Sequence, residues 1–157
     1  MDMEILPDYL VEAREMLEKA QEDTLLLEGA PGNKEALASI FRAVHTIKGG
    51  ASFLKVEHLV EWAHGLENLL DKLRSGKLAA TSARIDAILK GLDVIDTMLQ
   101  ELAQRRLPAE GPAELGNFIR MVAAEESGDT EDSSQSRVSK ENVPPPQVQA
   151  VTSVAPA

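Results

Sequence analysis

Two short spacings carry most of the chemical information in this chain. His45 stands three residues before Lys48, and His64 stands three residues before Glu67. On a helix, residues three apart share a face, so each pair predicts two polar groups projecting together. A neutral imidazole has one nitrogen that donates and one that accepts. If the Glu67 carboxylate accepts the proton-bearing Nδ1, it fixes the tautomer and leaves Nε2 as an outward nucleophile. It also stabilises the positive charge that grows on the ring during attack on an electrophile such as phosphorus. Lys48 would offer a compact positive charge to phosphoryl oxygens. Gly49 and Gly50 follow at once in what otherwise reads as mid-helix, where each costs about 1 kcal/mol relative to alanine. That expense predicts a surface that must come close to the backbone beside His45, with Phe41 and Ser52 completing its rim.

The same residue types admit other chemistry. His45, His64 and Glu67 are all zinc-ligand types, and three protein ligands plus a water describe a catalytic zinc site. The charge of Lys48 opposes a cation in that cluster, and no metal is expected. A purely structural helical adaptor, with incidental histidines, is a third reading. His58 has no matching partner in the sequence, and Trp62 reads as packing.

Positioning these groups requires helices, and apolar spacing predicts five. The first runs from about Leu6 to Glu28 with Leu6, Leu10, Ala13, Leu17, Ala20 and Thr24 or Leu25 on one stripe, ending at Gly29-Ala30-Pro31-Gly32. Asn33 suits the N-cap of a second helix, Lys34 to Phe53, with Leu37, Ile40, Val44 and Ile47 inward and Phe53 and Leu54 continuing the apolar stripe. A tight connection near Leu54-Lys55 leads to a third, Val56 to Ser75, stopped by Gly76. Thr81 or Ser82 can cap a fourth that reaches about Gln104. Pro112 then suits the first turn of a shorter fifth through about Ala124, with Leu115, Phe118, Ile119 and Val122 to bury. The expected fold is all-α: an antiparallel four-helix bundle with an additional C-terminal fifth helix, over residues 1–126. Residues 127–157, rich in Ser, Pro and acidic side chains, read as a disordered linker or tail. In an antiparallel hairpin turning near residues 54 and 55, positions 45 and 64 fall level, with Glu67 one turn away.

Bulk composition narrows the possibilities. The 157 residues are 43% hydrophobic but only 3% aromatic, which suits aliphatic seams between helices. A formal net charge of −10 argues against nucleic acid or an anionic membrane as partner. Without cysteine, thiolate chemistry and disulfides are excluded. No apolar run approaches the roughly 18 residues of a membrane span, and the acidic start Met1-Asp2-Met3-Glu4 lacks a signal-peptide pattern. A cytoplasmic, monomeric protein is expected.

The run Phe41-Arg42-Ala43-Val44-His45-Thr46-Ile47-Lys48-Gly49-Gly50-Ala51-Ser52 resembles the phosphoacceptor helix of histidine-containing phosphotransfer (HPt) domains. It is most similar to the amino-terminal P1 domain of CheA-type chemotaxis histidine kinases. The run from Leu59 to Arg74, with His64 and Glu67, resembles that family's next helix. The resemblance implies that His45 is the phosphorylated residue of a two-component phosphorelay. Lys48 and Glu67 would tune its reactivity, and His64 would complete the hydrogen-bonded cluster. It further implies an ATP-using kinase domain, in cis or trans, and a CheY-like response regulator receiver as partners. ATP and Mg2+ would come with those partners, because no Gly-rich nucleotide loop occurs in this sequence and no cofactor is expected to bind this chain.

Overall fold

The computed structural model describes residues 3–124, and within them the chain forms five helices: α1 (Leu6–Gly29), α2 (Lys34–Phe53), α3 (Glu57–Arg74), α4 (Ser82–Ala103) and α5 (Ala113–Ala124). The tail expected over 127–157, and the boundary at 126, lie outside the described residues. Local chemistry sets the helix ends. Asn33 Oδ1 accepts from the Ala36 backbone N–H at 3.0 Å, and Thr81 Oγ1 accepts from Arg84 N–H at 3.3 Å, so both expected caps form. Gly76 takes φ 85°, the left-handed conformation that closes α3.

Successive helices α1 to α4 pack in a closed ring, α1 on α2, α2 on α3, α3 on α4 and α4 back on α1. The seam they share is aliphatic. Leu17, Leu27, Ile40, Val44, Ile47, Leu59, Leu66, Leu70, Ile88, Leu92, Ile95 and Leu99 are all buried. Each such side chain removed from water contributes about 1.5–3 kcal/mol before entropy is counted. Thr24 rather than Leu25 completes the α1 stripe: Thr24 is buried with its hydroxyl donating to Ala20 O at 2.7 Å, whereas Leu25 is exposed.

Helix α5 is fastened by polar ties as well as by Ile119 and Val122. Arg84, on α4, is buried and donates from Nε to Val122 O at 3.0 Å, and Lys72 Nζ donates to Ala123 O at 2.8 Å. These bonds satisfy carbonyls at the end of a helix, where intrahelical donors run out. Trp62 is buried beneath the segment leading into α5, with its indole N–H donating to Gly91 O at 2.9 Å.

The two adjacent glycines of α2 have different reasons to be glycine. A Cβ on Gly50 would fall 2.3 Å from Tyr9 Cε1, whereas one on Gly49 would meet nothing within 4 Å. Tyr9 lies across Gly50 and donates its hydroxyl to Ile47 O at 2.8 Å. Gly50 therefore serves packing between α1 and α2 rather than the docking surface expected of both glycines. Gly50→Ala should destabilise the fold by about 1–3 kcal/mol through overpacking. Gly49→Ala should be neutral or stabilising by up to about 1 kcal/mol. Urea unfolding of the two variants, with equal losses as the contrary result, tests this division.

Candidate functional site

The α2–α3 hairpin determines which polar groups meet. After Phe53 the chain closes with Leu54 N–H on Gly50 O, Lys55 N–H on Ser52 O and Val56 N–H on Ala51 O. Lys55 sits at φ 65°, the left-handed position of this capping motif. The hairpin consequently pivots about Val56, and His45 and Glu67 each lie eleven residues from it. His45 is level with Glu67, not with His64 as a pivot at residues 54 and 55 would require.

Glu67 is the hub. The side chain of His45 bonds through Nδ1 to Glu67 Oε2, and Lys48 Nζ donates to Glu67 Oε1 at 2.5 Å. A carboxylate only accepts, so this geometry places a proton on Nδ1, and in the neutral ring the lone pair is then on Nε2. The His45 side chain is 62% exposed while that of Glu67 is 12% exposed. With Nδ1 tied inward to a buried acid, the Nε2 edge of the ring faces solvent. The bond to His45 and the Lys48–Glu67 ion pair coexist on the two oxygens of one carboxylate.

Burial alone would push the Glu67 carboxyl up, but the hydrogen bonds from Lys48 and His45, with their charges, outweigh it and hold the group below its ordinary value. His64 is less closely engaged. Its Nδ1 lies 3.8 Å from Glu67 Oε1 and its side chain is 73% exposed, which is beyond hydrogen-bond reach. It neighbours the hydrogen-bonded cluster without completing it.

The rest of the rim divides likewise. Phe41 stacks on His45 with ring centroids 5.9 Å apart and planes 9° apart, and the Arg74 guanidinium lies 4.0 Å from the Phe41 centroid on α2's neighbour α3. Gly49 and Ser52 are exposed, and with Lys48, Val60, Glu61 and His64 they line a shallow groove beside the imidazole. Phe53, expected to continue the apolar stripe, is 72% exposed, whereas Leu54 is buried. It stands two turns beyond His45 on the accessible side of α2. The departure of the chain into the capping motif after Phe53 shifts the inward position to Leu54, a register sequence spacing did not resolve.

The zinc reading of His45, His64 and Glu67 is not supported. Both Glu67 oxygens are occupied by His45 and the cationic Lys48. Among the described residues, the ligand-type group whose donor atoms lie within 4.8 Å of one another is His58, Glu61 and Glu110 instead. His58, read as partnerless, donates its Nδ1–H to Pro108 O at 2.9 Å, a contact across fifty residues that local pattern cannot reveal.

An exposed imidazole held in one tautomer by a buried acid, on a four-helix bundle, defines a scaffold for histidine chemistry. The sequence model of the Hpt domain matches residues 4–105, and the chain belongs to that family. It is 38% identical over 117 residues to the chemotaxis protein CheA of Treponema pallidum, covering 74% of this chain and 14% of that protein. It is also 38% identical over 96 residues to the sensor histidine kinase CheAY of Helicobacter pylori, covering 61% of this chain and 12% of that one. The chain thus spans about an eighth of the length of these curated relatives. The fold matches the phosphorylated P1 domain of CheA3, solved in complex with CheY6 from R. sphaeroides, with TM-score 0.72 and 26% identity over 78% of this chain and 97% of that one. The CheA phosphotransferase domain from Thermotoga maritima matches with TM-score 0.62 and 34% identity, over 66% and 98% respectively.

The pH dependence of stability should report the hub. A carboxyl with a depressed folded pKa stabilises the fold above its unfolded value, near 4.5, and this contribution disappears as pH falls through the folded value. The difference in unfolding free energy between the wild type and Glu67→Gln should therefore be steady from pH 7 to about 5. It should narrow below about pH 4.5. A gap unchanged down to about pH 2 would contradict the assignment.

Proposed function

We propose that this chain is a phosphotransfer domain of two-component signalling and that His45 is its phosphoacceptor. The observation that carries the reading is the exposed imidazole whose Nδ1 is bound to the buried Glu67. In the forward step the Nε2 lone pair forms a bond to the γ-phosphorus of ATP held by a kinase domain. The bond from that phosphorus to its bridging oxygen breaks, and the electron pair leaves with ADP. The Nδ1–H stays on the ring, and Glu67 stabilises the positive charge that the new N–P bond creates. In the second step a receiver aspartate oxygen attacks the phosphorus, the N–P bond breaks, and its electrons return to Nε2. Lys48, held beside the ring by Glu67, adds positive charge near the incoming phosphoryl oxygens.

The partners in this reading are an ATP-using histidine kinase domain and a CheY-like receiver, and the behavioural output is chemotaxis. Similarity to CheA proteins supports both. ATP and Mg2+ belong to those partners. The cellular setting is the cytoplasm, consistent with the described helices, none of which is long and apolar enough to cross a membrane. A receiver would dock over Gly49, Ser52 and Phe53, where the Cβ-free Gly49 lets another backbone approach.

Incubation with a CheA-type kinase domain and radiolabelled ATP should label the wild type through an acid-labile, base-stable linkage mapping to His45. His45→Gln should take no label, and persistent labelling of that variant would refute the assignment. Truncation of the exposed aromatic, Phe53→Ala, should raise the KM for receiver dephosphorylation of the labelled chain by roughly 3–10-fold with little change in maximal rate. Unchanged KM would remove Phe53 from the docking surface.

A further inference from the structure

We propose that Phe41 is a positioning residue for His45 and that Arg74, whose guanidinium lies over the Phe41 ring, clamps it; the proposal rests on His45 being the phosphoacceptor. Phe41 and His45 stand four residues apart on α2 and their rings stack nearly parallel, 9° between planes and 5.9 Å between centroids. Arg74, the last residue of α3, lays its guanidinium carbon 4.0 Å from the Phe41 centroid. Its Nη2 is in turn held by Asp71 Oδ1 at 2.9 Å. An ordered series results: Asp71, Arg74, Phe41, His45, Glu67. It begins and ends on α3 and passes through α2 in between.

The physical need for such a stack follows from the hydrogen bond to Glu67. One hydrogen bond fixes where Nδ1 sits but leaves the ring free to swing about that contact. The Nε2 lone pair lies in the plane of the imidazole, so the plane decides the line along which phosphorus can be attacked. A reacting group must be held within about 10–20° of its productive direction. The flat face of Phe41 removes the swing that Glu67 permits. Phe41 itself is half-buried and packed against the core, and the cation over its ring restricts its rotamer further. Glu67 thus sets the tautomer, Phe41 sets the plane, and Arg74 keeps Phe41 in place.

A positioning role is distinguishable from a docking role for the same ring. With a CheA-type kinase domain and ATP, the maximal rate of His45 labelling and the KM for this chain are measured separately. Phe41→Leu keeps the apolar bulk and loses the flat face. The maximal rate should fall about tenfold with KM within about twofold, because misorientation costs rate and not encounter. Phe41→Tyr, which retains the face, should restore most of the rate. Arg74→Met should lower it about threefold without touching the α2 packing. A raised KM with an unchanged maximal rate would make Phe41 a docking residue only and overturn the proposal, as would wild-type kinetics in Phe41→Leu. Should Phe41→Leu fail to fold, Arg74→Met decides, and a wild-type rate in that variant overturns the clamp. Mapping the label in the wild type keeps the two readings apart. Label away from His45 ends the phosphoacceptor assignment, whereas label at His45 with indifferent variants ends only the stack.

Discussion

A single buried carboxylate organises this surface. Glu67 accepts from an imidazole with one oxygen and from an ammonium with the other, and both donors come from the neighbouring helix. Buried charge is costly unless paired and hydrogen-bonded, so Glu67 is tolerable on α3 only where α2 brings both groups to it. Any slip of the α2–α3 register would strand the carboxylate. The same bonds that relieve its burial impose the Nδ1–H tautomer on His45 and leave Nε2 bare. Structural necessity and chemical competence are here one constraint.

The remainder of the fold holds that register. The capping motif around Lys55 sets the pivot of the hairpin at Val56, and the aliphatic seam below prevents either helix from turning about its axis. Tyr9 reaches from α1 across Gly50 to the Ile47 carbonyl, fixing α2 one half-turn beyond His45 and next to Lys48. At the far end, Arg84 and Lys72 hold α5 through its terminal carbonyls. The reactive groups all stand on helices rather than loops, which suits a site whose geometry must be ready before any partner arrives.

Much of this was legible in the sequence because the relevant information is local. Five helices followed from aliphatic spacing, and the Asn33 and Thr81 caps from a polar residue ahead of each apolar run. The pairs His45–Lys48 and His64–Glu67 announced two polar faces through a three-residue spacing. What escaped depends on contacts between distant segments. The pivot at Val56 arises from three loop hydrogen bonds and a left-handed lysine, for which lysine gives no signal. It moved Glu67 opposite His45 and left His64 outside hydrogen-bond reach. Gly50 was indistinguishable from Gly49 until Tyr9, some forty residues earlier, was seen to lie on it. Phe53 and Leu54 are equally apolar, and only the exit of the helix decides that one is exposed and the other buried. Arg84 is buried beneath the carbonyls of α5, a placement that local sequence does not signal.

The state of the imidazole protons is the most direct test of the central claim. Long-range proton–nitrogen NMR on the 15N-labelled wild type, at a pH where His45 is neutral, should show the proton on Nδ1 and a pyridine-type Nε2. Glu67→Ala should release the ring into a mixture of tautomers. A wild-type His45 carrying its proton on Nε2, or a ring indifferent to loss of Glu67, would contradict the account.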